Sequence, residues 1–376
     1  MQIDVVAAAR ALGPTVRAAR ETIERDRRLP TAIVNALVEA GVFRLCIPTA
    51  LGGLGADAAT LVATIEAVAM ADGAAGWCTM IGATTGVVSA YLPPDAARAI
   101  YGNPRTVTGG VFAPSGTAVP TAGGYTVTGR WSFGSGCQHC DWLMGGCIVQ
   151  TTPVVAPRMM ILPAAQVEII DTWDTAGLRG TGSHDLAIVN QFVPEAYSVS
   201  LIGDAPRSSE PLYRFPVFGL LALGIAGVAL GIARAAIDEL VALAGTKRPA
   251  DSRRHLAERG VVPSQVAQAE ATVGAARAFL FEQIAVAWEI ATRGDPIPVA
   301  QRARLRLAAT HATISAAAAV DAMFSAGGGS AIYARSPLQR YFRDVHTVTA
   351  HAMVAPSTLE LTGRVLLGVP TETALL

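Results

Sequence analysis

The chain reads as an α+β protein in three consecutive parts: a helical first domain over 1–104, a β-domain over 105–206 and a helical bundle over 207–376. Three observations predict that order. Apolar residues recur at three and four up to about Ala99. Between Thr106 and Pro206 the residue types change to Val, Thr, Gly and aromatics. From Phe215 onward the chain is rich in Ala and Leu with helical spacing again.

In the first part, Pro30, Gly41, Pro48, Gly52-Gly53 and Pro93-Pro94 mark the breaks between helices. In the second, Gly123-Gly124 lies between Thr117-Ala118-Val119 and Tyr125-Thr126-Val127, a hairpin signal. The third part is interrupted at Gly245 to Pro263 and at Gly294-Asp295-Pro296, which predicts a bundle of four or five helices. Val217 to Ala233 is apolar enough to suggest a membrane span, but it is short, holds Gly219, Gly224, Gly227 and Gly231, and runs into Arg234, Asp238 and Glu239. It reads as a buried helix whose small residues admit a close neighbour, a second subunit being one candidate. Strands followed by helices, without alternation, speak against a Rossmann domain. No G-x-G-x-x-G follows a predicted strand, and no G-x-x-x-x-G-K-S/T is present.

With 376 residues, 51% of them hydrophobic, the chain can bury a large core. Its formal net charge is zero, which removes the field that draws proteins onto nucleic acid or an anionic membrane. Lys247 is the only lysine. Met1-Gln2-Ile3-Asp4-Val5 does not read as a signal peptide, and five cysteines in so long a chain do not read as a disulfide framework. A cytoplasmic protein is expected.

Two turns carry the chemistry. The first, Gly129-Arg130-Trp131-Ser132-Phe133-Gly134-Ser135-Gly136, begins as a strand with Tyr125, Val127, Trp131 and Phe133 on one face and ends in small hydrogen-bonding groups. An aromatic wall ending in small donors suits a flat heteroaromatic cofactor. The second, Gly177-Leu178-Arg179-Gly180-Thr181-Gly182-Ser183, offers more donors and a cation. Cys137, His139, Cys140 and Cys147 invite comparison with a zinc site, but no second C-x-x-C or H-x-x-x-H lies elsewhere, so no metal is expected.

Together, in this order and spacing, the two turns resemble the middle domain of the acyl-CoA dehydrogenase superfamily. The wording W-x-F-x-S-G followed by G-x-R-G-T-G-S resembles its reduced-flavin-dependent monooxygenase branch. Leu29-Pro30 through Gly52-Gly53 resembles the superfamily's amino-terminal domain, and the likeness extends over nearly the whole chain. It implies FAD or FMN, bound in reduced form and supplied by a separate reductase. It also implies cofactor contacts from Trp131, Phe133, Ser135, Gly136, Arg179, Thr181 and Ser183, with Ser135 near flavin N5. The Gly327-Gly328-Gly329 bend resembles the one that approaches a neighbouring subunit's cofactor, with Gly328 and Gly329 nearest. A homotetramer built as a pair of dimers is expected.

Near the carboxyl end, Arg340-Tyr341-Phe342-Arg343-Asp344 resembles the superfamily's R-x-x-R-D. Dehydrogenases follow it with Y-E-G-T, whose Glu removes the α-proton of an acyl thioester. Here His351 stands at the Tyr and Ala352 at the Glu. The other customary position of the base falls in apolar Phe218 to Leu223. His351 matches the monooxygenase branch, where a neutral imidazole with an ordinary pKa near 6.5 deprotonates a phenol or holds activated oxygen. Continued as a helix, the segment sets Thr347 one turn before His351, able to orient its ring. Gly76-Trp77 and the helix after it lack a further His that many aromatic hydroxylases of the branch carry, which opens substrates other than phenols. The expectation is a two-component monooxygenase acting on a small apolar or aromatic substrate. The alternatives are an acyl-CoA dehydrogenase with its base displaced to Glu360 and a catalytically idle flavin-binding homologue.

Overall fold

The computed structural model describes residues 4–153, 155–248 and 253–376. Met1 to Ile3, part of the segment read for a signal, and the middle of the Gly245 to Pro263 stretch lie outside them.

Seven helices build the first part: α1 (Val5–Ala11), α2 (Gly13–Ala18), α3 (Arg20–Asp26), α4 (Thr31–Glu39), α5 (Ala58–Ala69), α6 (Gly73–Thr84) and α7 (Pro94–Tyr101). Carboxylates start the two that matter most: Asp57 accepts the Thr60 N–H at 2.7 Å and Asp72 accepts the Ala75 N–H at 2.9 Å. Each satisfies a first-turn donor that its helix leaves open.

One seven-stranded sheet follows, with β1 (Thr108–Thr121), β2 (Gly124–Gly134), β3 (Trp142–Val149), β4 (Arg158–Pro163), β5 (Glu168–Ile170), β6 (His184–Pro194) and β7 (Ser198–Val199). Its order is β5-β6-β2-β1-β3-β4-β7, and only β1 and β3 run parallel. The β1–β2 hairpin closes where the sequence signals it, with Thr121 opposite Gly124 and Gly123 at φ +79°.

The last part holds α8 (Val217–Thr246), α9 (Val261–Arg293), α10 (Val299–Gly327), α11 (Pro337–Thr349) and α12 (Ser357–Leu366). Both α8 and Val299–Ser330 are long and apolar enough to cross a membrane, yet 94% of the most apolar window of α8 is buried inside the protein. Leu223, Leu230, Ile232, Ile237 and Leu240 are fully buried along it, each contributing roughly 1.5–3 kcal/mol. Gly224, Gly227 and Gly231 of α8 admit the chain's own helices. A Cβ at Gly231 would lie 2.5 Å from the Glu66 carbonyl of α5, and one at Gly224 would lie 2.7 Å from Met80 of α6. The amino-terminal helices thus pack directly on the bundle, and α6 is carried against β1 and the turn that follows β2.

Candidate active site

The first turn divides its aromatic residues. Trp131 is in the core of the sheet, its Nε1–H donating to the Gly146 carbonyl at 2.7 Å and its ring filling the space over Gly116, Gly129 and Gly145. It is not a cofactor wall. A register shift between Trp131 and Gly134 breaks the alternation, and Phe133, at φ +70°, swings outward. Phe133 is 68% exposed and meets Trp173 edge to face at 6.1 Å, so these two rings form the open aromatic wall. Trp173 was not singled out from the sequence. Gly136 follows at φ +72°, and its N–H donates to the Thr181 carbonyl at 2.8 Å, tying the two turns together.

Behind them runs a chain of buried groups. Trp77 of α6 donates its indole N–H to Ser135 Oγ at 2.9 Å. Ser135 Oγ lies 2.7 Å from Ser183 Oγ, which lies 2.7 Å from Thr181 Oγ1, and Thr181 donates to the Leu178 carbonyl at 2.8 Å. Three hydroxyls predicted from two separate turns therefore form one network, and Trp77 is its fourth member. Arg179 faces out beside it but is not a free cation: Asp174 holds it at 2.9 Å, and it donates to the Thr175 carbonyl.

The second turn is gripped by α11. Asp344 Oδ1 accepts the Leu178 N–H at 2.6 Å. Arg343 donates to the Ala176 carbonyl and pairs with Glu24 of α3 at 2.8 Å. Gly177 makes this approach possible, since a Cβ there would lie 2.2 Å from the Arg343 carbonyl. Asp344 is buried near a second buried carboxylate, Asp72 at the start of α6. Burial first and the Asp72 charge second raise the Asp344 pKa to about 7. Burial raises Asp72 as well.

His351 lies beyond the end of α11, so the helical stripe read from the sequence does not reach it. Thr347 spends its hydroxyl on the Arg343 carbonyl at 2.9 Å. The imidazole is held instead by the Met353 N–H, which donates to Nδ1 at 3.2 Å, and by the Trp77 ring, 5.6 Å away between centroids. Burial, then the positive charge of Arg306, lowers its pKa to about 4. A neutral imidazole has one N–H, and an occupied Nδ1 lone pair leaves that proton on Nε2. His351 is therefore a hydrogen-bond donor at neutral pH, not a base with an ordinary pKa. Arg306 also donates to the Phe218 carbonyl at 3.3 Å and contacts the Met353 sulfur at 3.9 Å, and the half-buried Phe218 and Phe112 rings meet edge to face 6.4 Å apart.

The remaining candidates lie elsewhere. Gly328 and Gly329 are exposed at the end of α10, where Lys247 donates to the Gly327 carbonyl at 2.7 Å. Glu360 is exposed in the first turn of α12 and offers the site no base. Cys137 and Cys140 direct their thiols to the carbonyls of Gly182 and Gly136, while Cys147 lies in the sheet core. Burial pushes the Cys137 thiol up to about 11. His139, which burial lowers to about 4, lines a separate cleft of about 650 Å³ with Arg28, Asn35 and Arg105.

An exposed aromatic wall beside buried hydroxyls fits a flat ring system with polar edges, and no carboxylate stands at either place where an α-proton would be removed. Residues 5–93 match the acyl-CoA dehydrogenase N-terminal domain and residues 223–356 match the acyl-CoA dehydrogenase C-terminal domain. The chain belongs to the acyl-CoA dehydrogenase family and, within it, to the flavin-dependent monooxygenases. It is 37% identical over 355 residues to indole-3-acetate monooxygenase of Pseudomonas putida, covering 94% of this chain and 90% of that one. It is 30% identical over 356 residues to the flavin-dependent monooxygenase oxygenase subunit HsaA of Rhodococcus jostii (strain RHA1), covering 92% and 93%. The solved structure of XiaF from Streptomyces sp., in complex with FADH2 and glycerol, matches with a TM-score of 0.92 and 28% identity over 99% of this chain and 98% of that one.

Proposed function

We propose that the chain is the oxygenase component of a two-component system: it takes reduced flavin from a separate reductase and transfers one atom of O2 to a small aromatic substrate. The observation that carries this is the pairing of His351, fixed as a neutral donor, with Ser135, both held by Trp77. Reduced flavin, when bound, supplies the two electrons that activate O2. Phe133 and Trp173 would flank its ring, and the Ser135 hydroxyl would stand at its polar edge. His351 Nε2–H would be the donor available to oxygen on which negative charge develops.

FADH2 is the favoured form, because XiaF was solved with it. Relatives described as oxygenase subunits support the separate reductase. Their substrates, indole-3-acetate among them, support an aromatic one here. A homotetramer remains our reading of the exposed Gly328-Gly329 bend and of Ile332 and Tyr333 beside it, 69% and 56% exposed. Cytoplasmic residence is supported by five free thiols.

The test supplies anaerobically reduced FAD, then ¹⁸O2 and indole-3-acetate or a related arene. One ¹⁸O atom in the product supports the reading. Flavin oxidation with only hydrogen peroxide formed, across a panel of arenes, would favour the idle homologue.

A further inference from the structure

The cleft that His139 lines has the makings of a site of its own. It holds about 650 Å³ between the end of α3, the start of α4 and the segment after Gly136, a volume typical of small-molecule sites. Leu29, Val34 and Val107, all buried, give it apolar surface, and Arg28, Asn35 and Arg105 line its exposed side. Two carboxylates share the lining, but each is engaged: Asp26 pairs with Arg25 at 2.8 Å, and Asp141 accepts the Val107 N–H at 2.8 Å. Arg105 donates to the Asn35 side-chain oxygen at 2.9 Å, and exposed Glu39 comes no nearer to it than 3.7 Å. Among the described residues nothing accepts a hydrogen bond from Arg28, and nothing bonds to the His139 imidazole. Burial keeps that ring neutral, with its pKa lowered to about 4. Positive charge therefore stands beside apolar surface and a flat uncharged ring, which is the complement of an aromatic carboxylate.

We propose that this cleft is a second small-molecule site, that it takes an aromatic carboxylate, and that filling it steadies the two turns. The walls of the cleft touch both turns. The His139 ring lies against Gly136, where a Cβ would be 2.9 Å from its Cε1 and Nε2, and the Gly136 N–H holds the Thr181 carbonyl at 2.8 Å. Gln138 and Arg27 flank Gly182 of the second turn, since a Cβ there would lie 2.8 Å from the Gln138 side-chain oxygen and from the Arg27 carbonyl. Arg27, next to Arg28, also donates to the Trp173 carbonyl at 2.9 Å and so reaches the aromatic wall. A ligand packed against His139 and Arg28 restrains these contacts before a cofactor arrives, which lowers the ordering cost of binding it. The coupling, though not the binding, rests on the flavin reading above.

The test titrates naphthoate, followed by its own fluorescence, into the flavin-free protein, then measures the dissociation constant of reduced FAD under strict anaerobiosis with and without it. Naphthoate should bind with a Kd of about 1 mM or tighter, and saturating it should tighten reduced FAD about fivefold. Arg28→Glu reverses a charge and Asn35→Trp fills the cleft, both at exposed positions. Each should weaken naphthoate at least about tenfold and abolish the tightening, while reduced FAD alone binds as before. Tightening that persists in both variants would place naphthoate in the substrate site and overturn the proposal. Inorganic phosphate displacing naphthoate at equal concentration would show a bare anion site and overturn the aromatic assignment. Naphthoate binding that both variants abolish, with no effect on FAD, overturns the coupling. If no reduced FAD binds under any condition, the functional reading falls, and the naphthoate titration still decides whether the cleft is a site.

Discussion

The backbone N–H of Met353 donates to Nδ1 of His351 at 3.2 Å, and this bond decides what the imidazole can do. With its proton on Nε2 and its pKa lowered to about 4, His351 stays neutral across physiological pH. Because the folded value lies below the unfolded one near 6.5, its contribution to stability is present above pH 6.5 and is lost as pH falls toward 4. Product formation per flavin oxidised should therefore show no inflection attributable to His351 between pH 6 and 8. His351→Ala should lower that coupling about 100-fold, and His351→Gln, which keeps an N–H donor, should recover part of it. An inflection near pH 6.5 that disappears in the Ala variant would return the residue to the role of a base.

Asp344 titrates in the opposite sense. Its pKa is raised from 3.8 to about 7, so the folded state binds the proton more tightly than the unfolded chain does. Stability from this group is present at low pH and lost as pH rises from about 4 through 7. Asp72, Glu24 and Arg343 all act on it, and Arg20 and Arg340 act on its partner Asp72. Asp344→Asn keeps an oxygen for the Leu178 N–H and carries no charge. Its melting temperature should match the unmodified protein near pH 3 and exceed it by a growing margin as pH rises to 8. Asp344→Ala leaves a buried N–H unpaired and should cost about 1–3 kcal/mol at low pH, and less as pH rises and the unmodified protein loses stability. Parallel curves for the Asn variant and the unmodified protein would show that the carboxylate does not titrate in this range.

The helix–strand–helix order was legible because it follows from residue type and period, which are local. Ser135 and His351 stand out in the sequence through motif position, and Trp77 meets both in the fold. Trp131 was misread because strand alternation cannot show the bulge that separates it from Phe133, leaving one ring in the core and the other in solvent. The glycines of α8 signalled a close neighbour but not which one, and α5 is more than 150 residues earlier in the chain. Trp77 and Asp344 belong to the site only through contacts with Ser135 and Leu178, distant in sequence. Gly76-Trp77 was noticed for the histidine that its helix lacks, while the tryptophan itself was the signal.

Gly177 tests whether α11 positions the second turn. A Cβ there meets the Arg343 carbonyl at 2.2 Å and Thr347 Oγ1 at 2.5 Å, and the carbonyl belongs to a helix backbone that cannot rotate aside. Gly177→Ala should lose about 1–3 kcal/mol in urea unfolding and weaken reduced FAD binding, because Leu178 and Thr181 move with the turn. Unchanged stability together with unchanged flavin affinity would mean that the turn and α11 are independent.

Acyl-CoA chemistry supplies the sharpest contrast with the family's dehydrogenases. Removing an α-proton needs a base within hydrogen-bond reach of that proton, and the family's dehydrogenases use a carboxylate. Ala352 occupies one customary position, Phe218 to Leu223 are apolar at the other, and Glu360 is exposed on α12. Protein loaded with oxidised FAD should therefore keep its flavin absorbance when mixed with saturated acyl-CoA of any chain length and should pass no electrons to a dye. Ala352→Glu adds the missing carboxylate beside His351, yet it leaves the hydroxyl chain untouched, so binding of reduced FAD should survive the change. Bleaching of the bound flavin by acyl-CoA in the unmodified protein would show that a base exists where the structure places none, and the assignment of His351 and Ser135 to oxygen chemistry would fall with it.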